Sequence, residues 1–73
     1  MNLEMEMKAY MVNRLAMMLI ERDADLTMEQ ALGLVFNSDT YLRVMNEKTH
    51  FYYQSPMYVF AFLDQELKEG KLR

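Results

Sequence analysis

The stretch LEMEMKAYMVNRLAMMLIER, residues 3–22, decides the fold. It has no Gly or Pro and is rich in Leu, Met, Glu, Ala and Lys, so it reads as one long helix. Met7, Met11, Leu15, Met18 and Leu19 fall at the i, i+4, i+8, i+11, i+12 positions of a single apolar face. Glu4 and Lys8 add a favourable i, i+4 pair, a weak local support. A second apolar set, Tyr10, Val12, Ala16, Met17 and Ile20, lies off that stripe. The helix is therefore apolar around more of its circumference than one core face requires. A helix of that kind is central in its fold or shared with another chain.

Outward from this helix, Asp23-Ala24-Asp25 is a polar connection. Thr27-Met28-Glu29-Gln30 then matches a capping box, with Thr27 as N-cap and Gln30 three residues on. Glu29 in the first turn suits the positive end of the helix dipole. The second helix is expected to run to Phe36 and to bury Met28, Ala31, Leu34 and Val35. Asn37-Ser38-Asp39 breaks it as a turn or a kink, with Ser38 a suitable N-cap for a short helix carrying Tyr41, Leu42, Val44 and Met45. Asn46 to Gln54 reads as a loop. The alternative is a hairpin pairing Tyr41–Met45 with Phe51–Gln54, but no strong turn dipeptide supports it.

Ser55-Pro56 starts the last helix, because Pro at the first helical position loses only an N–H that has no partner there. Val59, Phe60, Leu63 and Leu67 form its expected core face, while Asp64, Gln65 and Lys68 face water. Gly70 is a natural stop, and Lys71-Leu72-Arg73 reads as a frayed tail. The expectation is one all-α domain over residues 1–73, with three to four helices.

A chain of 73 residues that is 52% apolar has the composition of a folded domain rather than a disordered one. Domains this small gain only about 3–5 kcal/mol from their core and often need added support. With no cysteine, neither a disulfide nor a thiolate metal site can supply it, which fits a reducing compartment. Oligomerisation is the support that remains, and an independent three-helix domain is the alternative. Eight Lys and Arg are scattered among eleven acids, for a net charge of −3, which argues against nucleic acid as a partner. Met1 to Glu6 lacks the basic start of a signal peptide, and the longest apolar run, Leu15 to Ile20, is too short for a membrane span. The expected location is the cytoplasm.

Each candidate for chemistry meets a missing requirement. His50 is the single histidine, and no motif places a nucleophile and an orienting acid beside it. Asp23, Asp25, Thr27 and Glu29 alternate like a calcium loop, but Met28 and Leu34 stand where that loop needs Gly and Glu. The carboxylates fall on expected helix exteriors or helix starts, so no catalytic pair is assembled. Gly33 and Gly70 are the only glycines, too few for a phosphate cradle. A helix-turn-helix across Asn37 would offer Asp39, Thr40 and Arg43 to DNA, a poor base-reading set. The aromatic set Phe51, Tyr52, Tyr53, Tyr58, Phe60 and Phe62 suits a core with hydroxyls at the surface, or a protein-binding face.

The layout resembles that of certain small bacterial domains of unknown function found near toxin-like genes. The likeness rests on the long first helix, on Leu26-Thr27-Met28-Glu29-Gln30-Ala31, and on Tyr52-Tyr53-Gln54-Ser55-Pro56-Met57-Tyr58-Val59. It covers most of the chain and implies a non-enzymatic accessory or partner-binding role. The sequence thus points to an interaction module without cofactor or metal, a homodimer or other homo-oligomer. Its candidate surface is Met7, Met11, Leu15, Met18, Tyr10, Met17, Tyr52, Tyr53 and Tyr58. The alternative is a helix-turn-helix regulator or antitoxin-like protein.

Overall fold

The computed structural model describes residues 2–70. It has four α-helices: α1 (Leu3–Arg22), α2 (Met28–Phe36), α3 (Asp39–Met45) and α4 (Pro56–Glu69). Two 3₁₀ turns, Glu47–Thr49 and Phe51–Tyr53, join α3 to α4. No strand occurs among the described residues, so the hairpin alternative falls away. The tail at 71–73 lies outside the described residues.

Every helix start is closed by a side chain. Asn2 accepts from the Met5 N–H at 3.2 Å, and Ser55 accepts from the Tyr58 N–H at 3.2 Å. The box at α2 closes in both directions, with Gln30 N–H on Thr27 Oγ1 at 3.1 Å and Thr27 N–H on Gln30 Oε1 at 2.9 Å. Asp23 and Asp25 belong to a tight connection, in which the Asp25 N–H donates to Asp23 Oδ1 at 3.1 Å. Ser38 accepts from the Tyr41 N–H at 3.0 Å, so the break after α2 is a true turn between two helices. Gly70 ends α4 at φ 92°, a left-handed position that glycine takes without a Cβ clash.

The molecule measures 35 × 28 × 18 Å. The short dimension holds about two helix diameters, so each helix keeps one side toward solvent. The core is Met11, Val12, Leu15, Ala16 and Leu19 of α1, set against Ala31 and Val35 of α2, Val44 of α3, Phe51 and Tyr52, and Val59, Phe60 and Leu63 of α4. The most extensive contact between helices is α1 on α2.

Expectations about burial are corrected in α2 and α4. In α2 the inward face is Ala31 and Val35 with Leu32 packed beside them, while Met28 and Leu34 are exposed. Successive residues turn by about 100°, so a face centred on Ala31 and Val35 leaves Leu34 to one side. In α3, Thr40 and Val44 point inward, four residues apart, and Leu42 points out. In α4 the core face continues from Leu63 to Glu66 rather than to Leu67, which is exposed. Asp64 is half-buried rather than in open water, paired with Arg22 and, at 3.3 Å, with Lys68.

Glu66 accounts for the correction at Leu67 and overturns the expectation that the acids sit on helix exteriors or at helix starts. It is only 7% exposed. Its carboxylate accepts from the Asp39 N–H at 2.6 Å, the Thr40 N–H at 3.0 Å and the Thr40 hydroxyl at 2.8 Å. Those N–H groups belong to the first turn of α3 and have no partner within their own helix. One buried carboxylate thus completes the cap that Ser38 begins and ties α4 to α3. None of the buried side-chain polar atoms among the described residues lacks a partner.

Candidate interaction surface

The two apolar sets of α1 have different fates. Met11 and Leu15 are enclosed by the chain's own helices, and so are Val12 and Ala16 from the second set. Met11 and Leu15 therefore leave the candidate surface, because α2, α3 and α4 already occupy the partner's place. Tyr10 (59% exposed) and Met17 (42% exposed) stand on the opposite side, with Leu3 (70% exposed) one turn before the half-buried Met7. Met18 is half-buried and touches the core from the flank.

The aromatic turn Phe51–Tyr53 adds to this side. Leu3, Glu6, Met7, Tyr10 and Met11 from α1 and Tyr52, Tyr53 and Gln54 from the turn line one open groove of about 390 Å³. Five residues of the expected surface, Met7, Tyr10, Met11, Tyr52 and Tyr53, are brought together there, with Met11 as its buried floor. Tyr52 is the buried wall of the groove, and Tyr53 is its exposed rim. Their rings lie 4.8 Å apart. Tyr58 is exposed on α4 and stacks edge-on with Phe51 and Phe62, at 6.1 and 5.3 Å between centroids, outside this groove.

The turn is locked to α1 by a polar link. The Tyr52 hydroxyl donates to the Glu4 carboxylate at 2.7 Å, and the Lys8 ammonium lies 5.3 Å from the centre of the Tyr52 ring. The hydrogen bond from Tyr52 holds the Glu4 carboxyl below its ordinary value, with Lys8 adding to the effect. The same hydrogen bond pushes the Tyr52 hydroxyl up to about 12, so this phenol stays protonated and serves as a donor. Lys8 is buried over the ring rather than spread on the surface. The i, i+4 spacing of Glu4 and Lys8 was legible, but the phenol between them was not.

A second groove, about 280 Å³, runs between α1 and the α2–α3 turn, lined chiefly by Met5, Ala9, Val12, Leu32, Phe36, Tyr41 and Met45. A shallow cleft of about 480 Å³ opens beside Gln30, Gly33, Leu34 and Glu66. His50 lines none of these. It is exposed at the left-handed joint between the two 3₁₀ turns, φ 55°, with its ring 6.1 Å from that of Tyr53. Its place is explained by backbone geometry, since histidine tolerates this conformation better than most residues.

Among the described residues no group of three potential metal ligands converges. None of the described helices is long and apolar enough to cross a membrane. Comparison with family models, curated proteins and solved structures gives no match for this chain.

Proposed function

We propose that the chain is a non-enzymatic protein-interaction module that self-associates through the outer side of α1 and the neighbouring aromatic turn. The observation that carries this reading is that Leu3, Met7, Tyr10 and Met17, with Arg14 between the last two, lie along one side of a helix whose other side is already buried. Monomeric surfaces scatter such side chains singly, and a contiguous patch of them marks a binding face. Tyr and Met are also the residue types enriched where proteins meet. The accessory role suggested by the chain's layout agrees with this reading.

The helix-turn-helix alternative draws less support. Such a motif presents the N-terminal residues of its second helix to the bases. Here the first turn of α3 faces the buried Glu66 carboxylate, and Thr40 is fully enclosed. A phosphate or base edge would meet a negative charge at that end.

Sedimentation equilibrium across the micromolar range tests the proposal. A mass that rises with concentration toward twice the chain's 8.8 kDa is expected. A constant monomer mass at tens of micromolar overturns it.

A further inference from the structure

The outward side of α1 carries a second regularity. Leu3, Met7, Tyr10, Arg14, Met17 and Glu21 follow steps of four, three, four, three and four. This is the a/d spacing of a two-helix seam, and it lies on the side turned away from Met11, Leu15 and Leu19. The seam is roughly 27 Å long at 1.5 Å per residue. Arg14 and Glu21 interrupt its apolar character, and neither takes part in the two ion pairs found among the described residues.

We infer that the occupant of this seam is α1 of a second copy, running antiparallel about a two-fold axis level with Val12. This rests on the self-association reading above and adds the geometry of the pair. The charges choose the direction. A parallel pair in register would stack Arg14 on Arg14 and Glu21 on Glu21, placing like charges together in the seam. An antiparallel pair removes both clashes. It sets Met7 against Met17 and Arg14 against Tyr10 of the other copy. Each combination then occurs twice, as an isologous two-fold interface requires.

Near the centre of the seam the opposed groups are complementary. The Arg14 guanidinium meets a Tyr10 ring that is exposed and free to be covered, the geometry of a cation–π contact. Glu6 lies one helical turn from Tyr10 on the same rim and supplies an anion within reach of that guanidinium. Glu21 arrives beside Leu3 at the N-terminal end of the partner helix, which already carries Glu4 and Glu6, so what the reversal gains at this end is the loss of the Glu21–Glu21 stack and not a new attraction. Glu6 and the single Arg in the seam are thus placed for each other by the reversal of direction.

The native chain has no cysteine, so single-cysteine variants report the direction without interference. Met7→Cys and Met17→Cys chains are mixed in equal amounts and mildly oxidised. The antiparallel pair is expected to give chiefly the mixed 7–17 disulfide, with few 7–7 or 17–17 products. Arg14→Ala, which removes both symmetry-related Arg14–Tyr10 contacts, is expected to weaken the dimer by about tenfold. Met17→Arg is expected to abolish it while leaving circular dichroism unchanged, since this side chain points away from the core. A dimer held by 7–7 and 17–17 disulfides, or by all three products equally, overturns the antiparallel geometry and leaves self-association through α1 standing. A dimer that survives Met17→Arg, or a parent chain that stays monomeric, overturns the α1 interface itself.

Discussion

The inner and outer sides of α1 both carry large apolar residues, the outer one interrupted by Arg14 and Glu21, yet only the inner one is enclosed by the fold. Met11 and Leu15 lie inside, and Tyr10 and Met17 lie outside, though each pair is helical and apolar. The difference comes from supply. Three helices of nine, seven and fourteen residues have to cover one helix of twenty, within a body only 18 Å thick. They cover one side. An apolar helix side is therefore evidence of burial against something, and the size of the remaining chain decides whether that something is the chain itself.

This contrast can be broken first from within. Leu15→Ala is expected to lower unfolding free energy by about 3–4 kcal/mol, since it leaves a cavity that four helices cannot collapse around. Denaturant unfolding would measure it, and a loss below about 1 kcal/mol would mean that the inner side is not the core. Next comes the link that holds the cover together. Glu66→Ala leaves the Asp39 and Thr40 N–H groups and the Thr40 hydroxyl without their acceptor, an expected loss of about 3 kcal/mol. Glu66→Gln keeps one carbonyl acceptor and is expected to lose less. Removing the cap of α2 by Thr27→Ala should lower stability by about 1 kcal/mol, because that end is exposed and water replaces the hydroxyl.

The polar link at the edge of the outer side gives a smaller, pH-dependent effect. Glu4 and Asp64 have folded values below their ordinary ones, so their stabilisation is present above about pH 4 and is lost as pH falls through the folded values. Tyr52 has a raised value, so its contribution is complete below pH 10 and is lost as pH rises toward about 12. An ultraviolet titration of the five tyrosines should show one that ionises last, and Tyr52→Phe should remove that step. The smallest effect on stability belongs to the outer side itself. Met17→Ala is expected to change the stability of the monomer by less than about 0.5 kcal/mol while weakening association.

Much of this was legible in the sequence because it is decided locally. The Thr27–Gln30 box, Ser38, Ser55-Pro56 and Gly70 each act within four residues, and all four mark helix ends in the structure. The α1 stripe was legible for the same reason, since periodicity is a local property. What was not legible depends on where distant segments meet. Glu66 and Thr40 are 26 residues apart, and a Glu at a helical position reads as solvated unless its donors are known. Tyr52 and Glu4 are 48 apart, so the lock on the aromatic turn had no signature. The assignment of Met11 and Leu15 to an interaction surface erred on the same ground. Spacing places residues on a face but does not say which element arrives to cover it.

The methionine methyl groups offer the most direct measurement, because the chain carries nine and they sample both sides of α1. Their carbon–proton NMR signals can be followed through a dilution series from millimolar to low micromolar. The two-sided account predicts that Met7 and Met17 shift with concentration, while Met11 in the core and the exposed Met28 and Met57 stay fixed. Signals that all stay fixed, or a shift centred on Met28 or Met57 with Met17 unchanged, would contradict it.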